Sequence, residues 1–288
     1  MLMTIFLKIP VHGLKRLNAW TIKRIFIAYE ICRARMHSKN KLKIVFSNKP
    51  DWEHAITQGY KFTQHDVTFE TLSPDKLTKS DLVIPLTIPD LKNLNASRDL
   101  TKHNPIPIPS LESILLCDDK YLTNQFLIEN GFEMFIPKMH KPAYPYILKK
   151  RIDEWGENSH IVRNAQQEKL LASKICHPDY FCQELVTGTA EYATHIIIKN
   201  KRATCAINIK YVFEINTPIK GKDKPVYMRI CRNPYIDIFE SILNRIDFEG
   251  LCCVNYKVQD QQPKILEINP RFGGSLGPYI FSFMRKIT

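Results

Sequence analysis

Gly250-Leu-Cys-Cys-Val-Asn-Tyr-Lys-Val-Gln-Asp-Gln-Gln-Pro-Lys-Ile-Leu-Glu-Ile-Asn-Pro-Arg-Phe-Gly-Gly-Ser-Leu276 is the stretch of sequence that decides the fold. Within it, Cys252 to Val258 and Lys264 to Asn269 are short apolar-rich runs, and the polar segment Gln259 to Pro263 separates them. Two such runs joined by a polar loop are typical of a β-hairpin. The sequence therefore predicts two paired strands followed by a glycine turn.

The second run of this hairpin predicts which side chains share a face. Successive side chains of a strand point to opposite faces. We therefore expect Ile265, Glu267 and Asn269 to lie on one face. Leu266 and Ile268 are expected on the other face, in a hydrophobic core.

The hairpin is also expected to gather polar side chains on one surface. A loop symmetric about Gln261 places Asn255 across from Glu267, with Asn269 on the same surface and Arg271 just beyond the strand end. Converging oxygen ligands suit Mg²⁺, and an arginine beside them suits a phosphoryl group. Taken alone, the pattern more often marks an edge strand with a solvated polar face.

A lysine stands at the start of a helix that the sequence predicts from about Asp119 to Asn130, with Asp118 as its cap and Gly131 at its end. A cation in the first turn is unfavourable for the helix dipole. This position suggests that Lys120 serves a phosphate, and a surface lysine is the alternative interpretation.

A second lysine ends a predicted strand, Pro145 to Lys150, ahead of the polar loop Arg151 to His160, which contains Gly156 and Ser159. A lysine in this place can clamp phosphate oxygens while the N–H groups of the loop cover them. Lys149 is therefore a second candidate phosphate ligand.

The segment Tyr180 to Tyr192 reads as a strand that breaks at Gly188 and resumes. Backbone groups at such a break are not committed to a ladder and can bind the edge of a base. Glu191 follows Glu184 by seven residues. The alternative is an ordinary hairpin with two exposed acids.

Together these elements resemble the ATP-grasp superfamily, the fold of carbamoyl phosphate synthetase, biotin carboxylase and D-alanine–D-alanine ligase. Glu267-Ile-Asn-Pro-Arg271-Phe-Gly-Gly-Ser is similar to the metal-binding Glu-x-Asn-x-Arg segment of that family, and the resemblance covers about residues 41–280. It implies an α/β and α+β protein. In this fold an N-terminal α/β pre-ATP-grasp domain precedes two ATP-grasp subdomains that clamp the nucleotide.

The resemblance also implies cofactors and residue roles. The implied cofactors are ATP and Mg²⁺ or Mn²⁺. In the family, the carbonyl at the Glu184 position and the N–H at the Val186 position bind adenine, and the Glu191 position binds ribose hydroxyls. The implied nucleotide ligands are Lys120, Lys149, Ser159, Glu184, Val186, Glu191 and, more weakly, Lys210; the implied metal ligands are Asn255, Glu267 and Asn269; Arg271 and Lys149 are the implied catalytic residues.

The order of predicted elements gives the domain organisation. Strand, helix, strand, short helix and strand over residues 41–86 describe an open α/β unit, in which Gly59 is a plausible helix stop. Ligands of such units bind beyond the carboxyl ends of strands, so Ser47 to Lys49 and Leu86 to Ile88 are candidate substrate-facing loops. The predicted parts are a basic extension at 1–40, the α/β domain at 41–109, the small subdomain or lid at 110–183, and the large subdomain with the metal site at 184–288.

Composition and charge limit the remaining possibilities. The chain has 288 residues, a formal charge of +12, and eight cysteines without a Cys-x-x-Cys motif. We interpret these as reduced core cysteines of a cytosolic protein. Residues 1–43 carry ten Lys and Arg residues against Glu30 alone, mixed with aromatic residues. This segment is interpreted as a docked helix or extension, or as a peripheral contact with an anionic membrane at its inner face. No nucleic-acid-binding fold is expected.

The resemblance implies an ADP-forming carbon–nitrogen ligase, which activates a substrate carboxylate as an acyl phosphate and joins it to an amine or similar nucleophile. The implied partners are therefore a small-molecule carboxylate and an amine. Asn255 stands where relatives have a carboxylate or glutamine, which lowers the negative charge of the metal site. The alternative is a degenerate, non-catalytic ATP-binding protein, either free or tethered to a membrane through its N-terminus.

Overall fold

The computed structural model describes residues 41–61, 63–139 and 143–285, together with six residues between 21 and 29. The described part contains three sheets. Their strands are β1 (Lys43–Phe46), β2 (Asp66–Phe69), β3 (Leu82–Ile84), β4 (Tyr146–Lys150), β5 (His160–Val162), β6 (Tyr180–Glu184), β7 (Ala190–Lys199), β8 (Arg202–Val212), β9 (Tyr227–Cys231), β10 (Gly250–Gln259) and β11 (Gln262–Asn269).

The α-helices connect and cover these sheets. In the described part they are α1 (Pro50–Tyr60), α2 (Pro74–Lys79), α3 (Ile88–Ala96), α4 (Leu111–Asp118), α5 (Lys120–Leu127), α6 (Ala165–Leu170), α7 (Ala172–Ile175), α8 (Ile236–Arg245) and α9 (Ile280–Met284). None of the described helices is long and apolar enough to cross a lipid bilayer.

The three sheets lie in successive stretches of the chain. The first is parallel, in the order β2-β1-β3, and the second is antiparallel, in the order β5-β4-β6. The third is antiparallel, in the order β11-β10-β7-β8-β9. The mixed architecture agrees with the predicted α/β and α+β class.

The five-stranded sheet carries a hydrophobic core on each face. On one face Ile197 and Cys253 pack with the α/β unit and with the segment from Phe272 to Met284. On the other, Ile196 and Cys252 pack with α8 and with residues of α4 and α5. The adjacent cysteines therefore face opposite sides of β10, and the described cysteines form no disulfide with one another.

The predicted domain boundaries remain a proposal. The small sheet has its own apolar cluster, built around Tyr146, Leu148 and Val162. Helices α4 and α5, which were predicted with the lid, contribute Cys117 and Leu127 to the core of the five-stranded sheet. The basic extension lies almost wholly outside the described residues. Of it, Phe26 is described, and its ring packs 5.6 Å from that of Tyr279.

The cap of α5 differs from the prediction by one residue. Asp119 caps the helix, since its carboxylate accepts the N–H groups of Tyr121 and Leu122 at 3.0 and 3.1 Å. Asp118 is the last residue of α4, so its side chain is not placed to cap α5. The cap also binds Arg151 at 2.6 Å, which ties α5 to the end of β4.

The hairpin of β10 and β11 pairs Asn255 with Glu267, as predicted. The pairing results from a shorter turn combined with a bulge, and not from the symmetric loop that was expected. The turn is tight, with Asp260 and Gln261 in the left-handed region at φ 51° and 62°. A bulge leaves Leu266 as an extra residue, because Tyr256 pairs with Ile265. An extra residue reverses the alternation of faces along a strand.

Because of the bulge, the side chains at the start of β11 face the opposite sides from those predicted. Ile265 and Ile268 are both buried, in the same apolar cluster. Leu266 instead lines the cleft that also contains Glu267 and Asn269. The prediction for Ile265 and Leu266 was wrong because strict alternation cannot anticipate an inserted residue.

Gly59 does not end its helix but lies inside α1, against the segment 274–279. A Cβ at this position would lie 2.2 Å from the backbone oxygen of Gly277. The predicted helix stop was therefore wrong. This glycine is needed for the close approach between the α/β unit and the segment that follows the hairpin.

Gly59→Ala is expected to destabilise the protein. Alanine favours a helix over glycine by about 1 kcal/mol, but forcing apart two packed backbones costs typically about 1–3 kcal/mol. Chemical denaturation of Gly59→Ala and of the exposed control Thr57→Ala checks this. A stability of Gly59→Ala equal to or above that of the control would contradict the packing assignment.

Candidate functional site

A cleft lies between the small sheet, the five-stranded sheet and the loops around them. Its enclosed volume is about 140 Å³, and the space that includes its open mouth is about 1070 Å³. The residues predicted from the sequence that line it are Lys120, Lys149, Ser159, Glu184, Val186, Glu191, Asn255, Glu267, Asn269 and Arg271.

Lys210 does not lie in this cleft. Its neighbour Tyr211 lines the cleft, and alternation along β8 turns Lys210 to the other face of the sheet. There its ammonium lies 5.6 Å from the ring centre of Tyr192. The structure therefore does not bring Lys210 together with the other predicted phosphate ligands, because Lys210 lies one residue away from the inward position of the strand.

Glu267 is the centre of the polar contacts in the cleft. Its carboxylate accepts hydrogen bonds from the amides of Asn255 at 2.6 Å and Asn269 at 3.1 Å. Lys120 forms an ion pair with it at 3.4 Å. Burial alone would raise the pKa of Glu267, but Lys120, Lys220 and these hydrogen bonds outweigh it and hold the pKa at about 2.

Lys149 is a buried cation whose hydrogen-bond acceptors are neutral. Its ammonium donates to Gln183 Oε1 at 2.9 Å and to the carbonyl of Leu266 at 3.4 Å, a carbonyl that belongs to the bulge. Only 8 % of this lysine is exposed. Burial lowers its pKa to about 8, with Glu267 acting in the opposite direction. A desolvated cation without a contacting carboxylate is suited to accept an anion.

The loop after β4 reaches across the cleft. Asp153 accepts from Asn158 through both the backbone and the side chain at 3.0 Å, and its own carbonyl accepts from Lys120 at 2.6 Å. Trp155 and Gly156 adopt φ 61° and 62°. A Cβ at Gly156 would meet Ile219 at 2.9 Å, so the glycine permits contact with the loop that follows β8.

The strand break between β6 and β7 forms another part of the cleft. The backbone N–H of Glu184 donates to the carbonyl of Lys138 at 2.9 Å, while the Glu184 carboxylate accepts the N–H of Lys138. Val186 is buried, and its carbonyl accepts from Lys257 at 3.1 Å. Glu191 is buried beside Lys220 at 3.5 Å, and burial raises the pKa of its carboxyl.

Two further lysines, Lys257 and Lys220, add positive charge to the cleft. Lys257, which the sequence analysis missed, lies on β10 two residues after Asn255, so alternation along the strand could have revealed it. Burial lowers the pKa of Lys257. Lys220 donates to Asn255 Oδ1. Burial acts to lower the pKa of Lys220, but Tyr211 and Glu191 outweigh it and raise the value.

A second chamber adjoins the cleft on the side of the α/β unit. It is lined by Lys49 and by Thr87 to Pro89, which follow β1 and β3. Lys120, Glu154, Glu267, Asn269 and Arg271 line both spaces. The two loops predicted to face a substrate therefore contribute residues to this chamber.

The residues that line the cleft include candidate ligands for ATP and, with a single carboxylate, for a divalent metal. Lys120 and Lys149 supply cations for phosphates, and the strand break supplies backbone groups and the apolar side chain of Val186. The predicted metal ligands offer Glu267 as the one carboxylate, with the amide oxygens of Asn255 and Asn269. Among the described residues, no group of three His, Cys, Asp or Glu side chains could hold a metal by itself. The set suits Mg²⁺, which binds through few protein ligands together with substrate phosphates.

Comparisons of the sequence with known proteins found two kinds of match. A model of the ATP-grasp domain matches residues 117–275. The chain is 28% identical over 248 residues to a Mycoplasma pneumoniae protein described as an uncharacterized protein MG011 homolog, covering 74% of this chain and 84% of that protein.

Solved structures share the fold at low sequence identity. D-alanine--D-alanine ligase from Bacillus anthracis aligns with a TM-score of 0.55 at 13% identity, over 82% of this chain and 88% of that one. L-amino acid ligase from Bacillus licheniformis aligns with a TM-score of 0.59 at 12% identity, over 84% and 70%. Biotin carboxylase from Campylobacter jejuni gives 0.53 at 12% identity, over 91% and 69%.

Glu267→Gln is expected to destabilise the metal-free protein at neutral pH by about 2–3 kcal/mol, because Lys120 and Lys220 lose their anionic partner. The folded pKa of Glu267 is about 2, below its usual value of 4.5. Its contribution is therefore present above about pH 4.5 and is lost as the pH falls towards 2. Urea denaturation of wild type and variant at several pH values measures this difference, with exposed Glu214→Gln as the control. A gap that stays constant with pH would contradict the assignment.

Proposed function

The chain belongs to the ATP-grasp family, and from this membership we propose that it is an ATP-dependent, ADP-forming ligase that joins a carboxylate to an amine. The observation that carries the proposal is the position of Lys149. It is a desolvated cation with neutral hydrogen-bond acceptors, in the same cleft as the carboxylate of Glu267. A buried cation without an anionic partner costs stability, so it is not expected in a cleft whose role is only structural.

The proposed roles are those that the resemblance to the family implies for these residues. Lys120 and Lys149 hold the phosphates, and the loop that contains Ser159 closes over them. The backbone at Glu184 and Val186 holds the base, and Glu191 holds the ribose. These residues position the reacting groups, which is the main requirement for phosphoryl transfer.

The metal site is proposed at Asn255, Glu267 and Asn269. When bound there, Mg²⁺ or Mn²⁺ would neutralise charge on the phosphates. Asn255 now donates to Glu267 through its amide nitrogen, so its oxygen would face the metal only after the amide turns over. The present orientation is supported by two partners, because Lys220 donates to Asn255 Oδ1 while the amide nitrogen donates to Glu267. Metal binding through this oxygen would therefore require the ammonium of Lys220 to move away as well.

Arg271 is proposed to serve the phosphoryl transfer. Its guanidinium lies at the junction of the cleft and the second chamber, and 6% of the residue is exposed. In the proposed sequence, a carboxylate oxygen attacks the γ-phosphorus and ADP leaves. The amine then attacks the acyl carbon and releases phosphate. Arg271 neutralises the charge that develops on the transferred phosphoryl group.

The proposal is tested by measuring ADP and phosphate release with panels of small carboxylates and amines. Release that requires both substrates supports ligation. Glu267→Gln is expected to lower turnover by at least about 100-fold, equivalent to about 2.7 kcal/mol, because the metal site loses its one carboxylate. Tight ATP binding without turnover under every combination would favour the alternative of a non-catalytic nucleotide binder.

The affinity for ATP is expected to fall as the pH rises above about 8. The pKa of Lys149 is about 8 in the free protein, and bound phosphates favour its charged form. Binding above that pH therefore takes up a proton, and the affinity falls by up to about tenfold per pH unit.

Calorimetry in buffers of different ionisation enthalpy measures this proton uptake directly. Lys149→Met should bind ATP more weakly and lose the uptake. Lys150→Met is the matched control, since this neighbouring residue is not among those that line the cleft, and it should retain both. Identical pH profiles for wild type and Lys149→Met would remove Lys149 from the phosphate site.

A further inference from the structure

A buried arginine and a partly buried lysine meet one half-exposed carboxylate where the cleft joins the second chamber. Glu154 accepts from Lys49 at 3.0 Å and from Arg271 at 2.6 Å. The side chains of Lys49 and Arg271 are 14% and 6% exposed, whereas that of Glu154 is 43% exposed. The two cations are therefore the covered part of this ion-pair network, and the carboxylate is its accessible part.

Both cations lie over the aromatic ring of Trp52. The ammonium of Lys49 lies 4.6 Å from the ring centre of Trp52, and the guanidinium of Arg271 lies 5.1 Å from it. Trp52 is itself 5% exposed. Cation–π contacts of this kind fix the direction in which both cations point.

The cations and the carboxylate also belong to elements of different kinds. Lys49 and Trp52 belong to the start of α1, and Arg271 follows β11 directly. Glu154 belongs to the loop after β4, next to Trp155 and Gly156 with their left-handed backbone. A carboxylate on such a loop can leave without disturbing the cations.

Buried donors at this junction lack acceptors. Within the described part of the chain, Trp52 Nε1 and Arg271 Nε are both buried without a hydrogen-bond partner. Trp52 Nε1 lies against Gly274, where an added Cβ would come within 2.6 Å of it, and Gly274 lines the cleft. Buried donors without acceptors are uncommon in folded proteins and suggest a missing ligand.

We propose that Lys49, Trp52 and Arg271 form the subsite for the reacting carboxylate of the substrate, and that Glu154 occupies this subsite until the substrate displaces it. The inference rests on the proposed ligase function and deepens it. The site joins the space that holds the phosphates to the chamber beside the α/β unit, so a carboxylate there reaches both. Glu154 is ionised in this position, since Arg271 and Lys49 outweigh its burial and lower its pKa.

The test uses the full chain without nucleotide and at low ionic strength, where charge contacts are least screened. Succinate is the carboxylate probe, and its affinity is measured by calorimetry. Glu154→Gln removes the competing charge and keeps the shape, so it should bind succinate roughly tenfold or more tightly than wild type. Glu157→Gln, an exposed glutamate on the same loop, is the matched control and should leave the affinity unchanged.

Two further variants keep the test decisive. Glu154→Asp shortens the carboxylate so that it cannot bridge both cations, and it should tighten succinate binding to a smaller extent. Lys49→Met combined with Glu154→Gln should lose the gain. Unchanged succinate affinity in both Glu154 variants would overturn the proposal. Tighter binding of inorganic phosphate without tighter binding of succinate would also overturn it, because the subsite would then serve a phosphoryl group.

The result is separable from that of the ligase proposal because it needs no turnover. Tighter succinate binding by Glu154→Gln, without ATP turnover on any carboxylate, would support the subsite and contradict the ligase. Turnover by the wild type with unchanged succinate affinity in the variants would support the ligase and overturn the subsite.

Discussion

The bulge at Leu266 is the constraint on which the rest of the site depends. One extra residue lets Ile265 and Ile268 enter the same core while Glu267 and Asn269 face the cleft. It also frees the Leu266 carbonyl, which accepts from the buried Lys149. The bulge therefore connects the core of the five-stranded sheet to the lysine of the small sheet, as bulges near functional sites often do by redirecting side chains.

Burial of charge explains the arrangement of the cleft. Ionised groups are costly to desolvate unless each has a partner. Glu267 satisfies this requirement with Lys120, Asn255 and Asn269. Lys149 satisfies it only in part, because its acceptors are neutral. The carboxylate of Glu267 is therefore stable in the site without a ligand, whereas Lys149 would gain an anionic partner when a ligand binds.

The proposed carboxylate subsite includes residues that lie outside the family match. The ATP-grasp match covers residues 117–275, which include Lys120, Lys149, Glu267 and Arg271. Lys49 and Trp52 lie before it, in the α/β unit, and reach the same junction through α1. A relative that keeps the matched region and changes this unit would keep its nucleotide chemistry and alter the chamber beside it.

The sequence by itself determined the β-hairpin, the pairing of Asn255 with Glu267 across its strands, and the α/β unit that precedes the ATP-grasp match. It also determined the order along the chain of the elements that carry the candidate site residues. These follow from local periodicity and from residue types at set spacings. Only the tertiary structure decided that Gly59 serves a close approach, that Lys210 faces away, and that Glu154 enters the site. Each of these depends on register or on contact between distant segments. A bulge or a loop crossing changes which side chains meet without leaving a local pattern in the sequence.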